Sequence, residues 1–350
     1  MTEIYLPREA FAATIEQWMA RFRVWGPVFQ GEYHEFAALG KPHELDLRYQ
    51  NTRLSPKGLF QPHSERMFAF SLAKGDPQAA ILHEVAKDFS PMVVVGIRPC
   101  DARALQLVDV NFDTAQFQDP WWVRRRESIL LVGLACNEPC STCFCTSVGS
   151  GPFDAAGLDV LLVDVGAGYL AKSRSARGEQ LLAGLGAAAA PPADAAGQVA
   201  RLRETAEKSL PVLFEAGLLA ERDMRELFNA PFWDEVQFSC INCGTCTFLC
   251  PTCWCFDVQD EVHGEQGCRL RIWDSCMFPL FTHHGSGHNP RSQKLQRVRQ
   301  RFMHKLKYYV DKYGNGVACV GCGRCVQQCP VNIDIRRVAG LMTASCVCPL

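Results

Sequence analysis

The sequence predicts an α/β domain with a mostly parallel sheet over residues 1–205, followed by a mainly α-helical domain over residues 206–350. Three observations carry this reading. Short apolar runs alternate with helical patterns in the first part. One cysteine pattern, C-x2-C-x2-C-x3-C-P, occurs twice in the second part. A long amphipathic stretch lies between its two copies.

In chain order, Ala10–Phe22 places Phe11, Ile15, Trp18, Met19 and Phe22 at helical spacing. Within Pro91–Gly96, the run Met92–Val95 predicts a buried strand, and Asp101–Val110 reads as the helix after it. Ile129–Leu134 predicts a second buried strand and Val160–Val165 a third. Gly184–Gln198 is rich in Ala, Pro and Gly and predicts a surface insertion or loose connector. Arg201–Phe228 reads as helix, and Phe232–Phe238 leads into the first cysteine run. Farther on, Asn289 predicts an N-cap with Pro290 at the first helical position. Leu295, Val298, Phe302, Leu306 and Tyr309 form the apolar stripe of that helix, and Gly314 and Gly316 end it. Its other faces carry Arg291, Lys294, Arg297, Arg299, Arg301, Lys305, Lys307 and Lys312 against one acid, Asp311. Such a face is either solvated, or offsets an anionic group nearby, or docks an acidic partner.

With 350 residues there is room for two domains, each with its own core. Hydrophobic residues at 48% and charged residues at 21% fit a soluble globular chain. A formal net charge of −1 argues against a nucleic-acid partner. The opening MTEIYLPREA lacks the basic and apolar regions of a signal peptide. The longest apolar run, Ile129–Cys136, falls short of the ~20 residues that span a bilayer. The expectation is a cytoplasmic protein with no membrane span. Nineteen cysteines at tight spacings in a long chain suit metal ligation better than disulfides, and imply reducing, anaerobic surroundings.

Cys240, Cys243, Cys246 and Cys250 precede Pro251; Cys319, Cys322, Cys325 and Cys329 precede Pro330. This run holds [4Fe–4S] clusters in two-cluster ferredoxins, where the fourth cysteine ligates the other cluster. The expected sets are therefore Cys240, Cys243, Cys246 with Cys329, and Cys319, Cys322, Cys325 with Cys250. Gly244, Gly321 and Gly323 would let backbone N–H groups approach cluster sulfur. The competing reading, a pair of zinc sites, expects paired C-x2-C units with a long gap instead.

Cys100 follows the strand candidate Met92–Gly96, and Cys136, Cys140, Cys143 and Cys145 follow Ile129–Leu134. Ligands of an open parallel sheet sit beyond the carboxyl ends of its strands. A third iron–sulfur cluster on Cys100, Cys136, Cys143 and Cys145 is the expectation, set against the alternative of small buried hydrophobes. Cys253, Cys255, Cys268 and Cys276 read as packing near the clusters, Cys346 and Cys348 as incidental, and His283, His284 and His288 as a polar turn. Arg98, Asp101 and Arg103 flank Cys100 as either an active-site group or an ion-paired helix start. No P-loop is present, and no G-x-G-x-x-G follows a strand. Flavin and NAD(P) are therefore expected on a partner chain.

GIRPCDARAL, CFCTSVGSGP, CPTCWCFDV, RIWDSCMFPLF, GHNPR and CVGCGRCVQQCP together resemble the beta subunit of cytosolic NiFe sulfhydrogenases. The same family includes the A subunit of anaerobic sulfite reductase and the ferredoxin-like subunit of flavin oxidoreductase–heterodisulfide reductase complexes. Cys140 and the AAAAPPADAAGQ stretch depart from its pattern. The resemblance implies an electron-transfer subunit that works between a flavin-containing NAD(P)H oxidoreductase subunit and a hydrogenase, sulfite reductase or heterodisulfide reductase subunit, with catalysis in those partners. The alternative is a redox enzyme with its own substrate site at the N-terminal cysteines.

Overall fold

The computed structural model describes residues 2–185 and 189–344; Cys346 and Cys348 lie outside them. The first half is built on a seven-stranded sheet of β1 (Glu3–Pro7), β2 (Arg23–Phe29), β3 (His34–Ala38), β6 (Met92–Ile97), β7 (Ile129–Leu134), β8 (Val160–Asp164) and β9 (Gly168–Ser173). Its order is β1-β9-β8-β7-β6-β2-β3. The central strands β2, β6, β7 and β8 run parallel, and β3, β9 and β1 add antiparallel edges.

Strand β6 is apolar throughout because both faces of the sheet are covered. Met92 and Val94 face one core with Ala102, Leu105, Val108 and Phe112 of helix α2 (Pro99–Phe112) and Trp122 of helix α3 (Pro120–Ser128). Val93 and Val95 face the other, with Phe11, Ile15 and Trp18 of helix α1 (Phe11–Met19) and Leu181 and Leu182 of helix α4 (Ala176–Ala183). The strand's period of two thus feeds two cores at once. Pro99 starts α2 directly off β6, and the Asp119 carboxylate caps α3 by accepting from Trp121 N at 3.0 Å and Trp122 N at 2.9 Å. The carboxyl ends of β6 and β7 therefore deliver Cys100 and Cys136 to the same edge of the sheet.

A second, four-stranded sheet was not among the sequence expectations. Its hairpin, β10 (Phe256–His263) and β11 (Gln266–Trp273), sits between the two cysteine runs and turns at Gly264, φ +62°. Strands β4 (Ser64–Ser71) and β5 (His83–Glu84) come from the first half, so β11 pairing with β4 ties the halves together. Buried Arg271 locks the joint, donating to Glu65 at 2.6 Å and pairing with Asp119 at the cap of α3.

The predicted helix Arg201–Phe228 is interrupted. Helix α5 spans Ala195–Lys208, Pro211 cannot extend it, and Leu218–Glu221 and Met224–Phe228 follow as short helices. Of the connector reading of Gly184–Gln198, residues 186–188 lie outside the described residues, and from Ala195 the chain is helix α5 instead.

The long helix between the cysteine runs begins later than expected, at Lys294, with Gln293 and Gln296 as a capping box. Asn289 instead closes the preceding turn, accepting from Arg291 N at 3.0 Å and donating to the Pro279 carbonyl at 2.6 Å. A π-helical turn over His304–Tyr308 precedes the last segment, Tyr309–Tyr313, and left-handed Gly314 (φ +60°) ends it. Val298, Phe302, Leu306 and Tyr309 are buried as the stripe requires. Arg297, Arg301, Lys305 and Lys307 are buried as well, so the basic side of this helix is not a solvated face. No helix among the described residues is long and apolar enough to cross a membrane.

Candidate metal centres

The two cysteine runs fold alike. Asn242 (φ +55°) and Gly244 (φ +76°) bracket Cys243 in left-handed conformations; Gly321 (φ +64°) and Gly323 (φ +72°) bracket Cys322. Each run then enters one helical turn, Thr245–Phe248 or Arg324–Gln327. Alternating left-handed residues fold the backbone into a concave nest whose N–H groups favour an anion. Asn242 N donates to Cys240 Sγ at 3.4 Å, and Ile333 N to Cys329 Sγ at 3.2 Å.

Two cavities open between the runs. One is lined by Cys240, Cys243, Cys246 and Cys329, with Met277 and Phe302 as apolar wall. The other is lined by Cys250, Cys319, Cys322 and Cys325, with Phe144, Lys305 and Ile335. Cys325 and Arg301 border both. The second cavity thus gathers three cysteines of one run and the fourth of the other; the first gathers three of one run with Cys329 of the other, and touches the shared Cys325 as well. Soft thiols, inward amides and a neighbouring cation are what an iron–sulfur cluster requires, so these residues fit the group. Among the described residues no three His, Cys, Asp or Glu side chains are grouped to hold a single metal ion. Nor does a disulfide join any of the seventeen described cysteines.

Burial pushes the thiols of Cys319 and Cys322 up to about 12 and that of Cys246 to about 11. They stay neutral near pH 7 by themselves and would give up their protons on binding iron. Arg301 lies against Cys246 and Cys325, with its Nε lacking any hydrogen-bond partner. Lys305 Nζ donates to Thr252 Oγ1 at 2.9 Å and the Ala318 carbonyl at 3.3 Å. Neither cation has a carboxylate in an ion pair among the described residues. Cysteine sulfurs face them instead.

The N-terminal cysteines pack against the second run. Cys143 Sγ donates to the Cys322 carbonyl at 3.7 Å, and Phe144 N to the Gly321 carbonyl at 2.8 Å. Cys100 neighbours Cys136 and Cys322. Buried Arg98 stands beside Cys136, Cys100 and Cys140, anchored on the Ala135 carbonyl at 2.9 Å and the Tyr49 carbonyl. Cys140 and Cys143 hydrogen-bond through sulfur, which lowers the Cys140 thiol to about 7 and raises that of Cys143. Cys145, buried near Cys136, is pushed up to about 12 by burial. Cys140, the residue off the family pattern, therefore stands in this group beside Cys100, Cys136, Cys143 and Cys145. Asp101 is the helix-start ion pair: Arg324 holds it at 2.6 and 2.8 Å while also donating to the Thr52 carbonyl at 2.9 Å.

Gly321 marks how close this packing is. A Cβ there would stand 2.5 Å from Cys145 N and from the Phe144 carbonyl carbon, both backbone. Gly321→Ala is expected to cost about 1–2 kcal/mol from left-handed backbone alone, and more as the Phe144 strap is pushed off the run. A lower anaerobic melting temperature checks this; an unchanged one rejects the contact.

Residues 239–333 match the family model described as a 4Fe-4S dicluster domain. Over 320 residues the chain is 31% identical to Sulfhydrogenase 2 subunit beta of Pyrococcus furiosus, covering 90% of this chain and 91% of that protein. This chain belongs to the sulfhydrogenase beta-subunit family. No solved structure matches it significantly. As a member of that family with a dicluster domain, it is an iron–sulfur electron-transfer subunit. Its N-terminal half, with a mixed and largely parallel sheet, lies outside the dicluster match.

Sequence reasoning offered the cations of this helix as a counter-charge to nearby clusters without singling out Arg301 and Lys305, and missed Lys57 altogether. A spacing of four from Arg301 to Lys305 put both on one side, but only the fold reveals that cysteines occupy it. His284 and His288 stay in an exposed turn closed by His284 N to the His288 carbonyl at 2.8 Å.

Proposed function

We propose that this subunit relays single electrons between a flavin-containing, NAD(P)H-handling subunit and a terminal redox subunit of the hydrogenase, sulfite reductase or heterodisulfide reductase type. The observation that carries the reading is the pair of adjacent cavities, each lined by three cysteines of one run together with the fourth cysteine of the other, with Cys325 bordering both. Cys240, Cys243, Cys246 and Cys329 would hold one [4Fe–4S] cluster; Cys319, Cys322, Cys325 and Cys250 the other. Such clusters supply one-electron chemistry at potentials set by charge, hydrogen bonds and exposure. The chain's own residues provide those settings: Arg301 and Lys305 place positive charge beside sulfur, Met277, Phe302 and Phe144 exclude water, and the left-handed bracketing residues aim amides inward. A third cluster at the N-terminal cysteines, on Cys100, Cys136 and Cys143 with Cys140 or Cys145, would extend the relay; the contact of Cys143 with the Cys322 carbonyl supports this. The domain division at residue 205 and a cytoplasmic, anaerobic setting belong to the same proposal.

The test is anaerobic co-purification followed by reconstitution. The subunit is expected to bring down a flavoprotein and a terminal metalloenzyme, and its omission to stop NAD(P)H-driven reduction while leaving artificial-donor activity of the terminal enzyme intact. Full activity without it would sink the relay.

One observation favours the alternative of a substrate site on this chain. A polar cleft of about 500 Å3, lined by Tyr33, Arg48, Asn51, Arg53 and Arg324, opens onto Cys140. Turnover of sulfite or polysulfide by the isolated, chemically reduced chain would establish that reading; none is expected from a relay alone.

A further inference from the structure

Three thiols stand apart from both cavities and from the N-terminal group. Cys253 and Cys255 follow the first run, and Cys276 follows β11. The fold brings them together. The thiols of Cys255 and Cys276 adjoin, and Cys253 neighbours Cys276 on one side and Cys250 on the other. The Cys276 segment is held firmly: buried Ser275 hydrogen-bonds Thr247 at 2.7 Å and accepts from Met277 N at 3.1 Å, and Asp274 N donates to the Cys255 carbonyl at 3.0 Å.

Lys57 reaches this place from the first half of the chain. Its Nζ donates to the Cys250 carbonyl at 2.9 Å and the Cys253 carbonyl at 3.1 Å, and lies 4.0 Å from the centre of the Trp273 ring. The side chain is buried, and no carboxylate ion-pairs with it among the described residues. Carbonyls solvate an ammonium but do not neutralise it, and a buried unpaired charge is costly. Arg301 and Lys305 border the ferredoxin-type cavities, so clusters there account for them. Lys57 borders neither cavity. The thiols nearest it are Cys253, Cys250 and Cys255. Negative charge on the Cys253 side of the loop would offset that cost, next to whatever a cluster on Cys250 supplies.

We propose that Cys253, Cys255 and Cys276 hold a further iron–sulfur centre beside Lys57, with at least one iron not ligated by these three cysteines. The class of centre follows from the donors and their layout. Three soft sulfurs select iron–sulfur or another thiophilic metal. Their arrangement is not that of ligands grouped around one ion, which favours a polynuclear centre with bridging sulfide.

The experiment uses the full-length chain in its complex, purified anaerobically. The double variant Cys255→Ser, Cys276→Ser is expected to lose roughly two to four irons with matching sulfide, and one reduced-state EPR signal. The signal that Cys322→Ser removes is expected to remain. Wild-type iron, sulfide and EPR in the double variant would overturn the inference while leaving the two-cluster reading standing. Wild-type protein without iron would overturn both. Should the double variant fail to fold, Lys57→Met decides. Loss of its charge is expected to lower the midpoint potential of a centre distinct from those lost in Cys322→Ser and Cys243→Ser. A shift confined to the Cys322-dependent signal, or no shift, would reject the site.

Discussion

Cys322→Ser is expected to remove one reduced-cluster EPR signal and about four irons per chain, and to halt electron passage to the terminal subunit. Serine oxygen is a hard donor and a poor substitute for thiolate on iron–sulfur clusters. The position also has structural consequences. The Cys322 carbonyl accepts from Asn51 Nδ2 at 3.0 Å and from Cys143 Sγ, so disorder at this residue reaches the N-terminal cysteines. Cys268→Ser provides the contrast. Cys268 lies in β11 opposite Glu261 and Ala69, within the second sheet. Its replacement is expected to leave iron and spectra unchanged. Equal loss in both variants would mean that general thiol damage, rather than ligation, is being read.

Asp101→Ala should be the most destabilising single change outside the cysteines. Asp101 and Arg324 are both buried, at 2% exposure each, and the carboxylate takes two bonds from the guanidinium. Removing one partner strands the other charge, at a cost of about 3–5 kcal/mol. Arg324 is the residue after Gly323 in the second cysteine run, whereas Asp101 adjoins Cys100. The pair therefore fixes the second run to the N-terminal sheet, and its loss should loosen iron as well as lower the melting temperature. Asp101→Leu combined with Arg324→Met should recover much of the stability, since apolar replacement of both partners leaves no orphan charge. Anaerobic thermal denaturation followed at the cluster absorbance measures all three. A single variant that melts with the wild type would show the pair to be dispensable.

Much of this architecture is written locally. Val93, Val94 and Val95 announce a strand covered on both faces, and Pro99 directly after it announces the helix. The cysteine runs carry their own spacing. What sequence could not convey depends on contacts made at long range. Strand β10 is largely exposed, with Val258 and Val262 open to solvent, so it lacks the half-buried alternation that betrays a strand. Asn289-Pro290 has the residue types of a helix start, yet Asn289 spends its side chain on Pro279 and Arg291, and the helix waits for Gln293. Arg301 and Lys305 are two of eight basic residues on that stretch, and the sequence leaves open which of them turn from water toward cysteines. What faces them is cysteine sulfur, contributed by segments on both sides of the helix in the chain.

The crossed lining of the two cavities sets an order of synthesis. Cys240, Cys243 and Cys246 leave the ribosome early, but Cys329, their companion, emerges after every other cysteine that borders a cavity. The site begun first is finished last. On the proposed ligand sets, metal delivery would await a nearly complete polypeptide, and a nonsense codon just ahead of Cys329 would spare one four-thiol set while leaving the older one short of its last member.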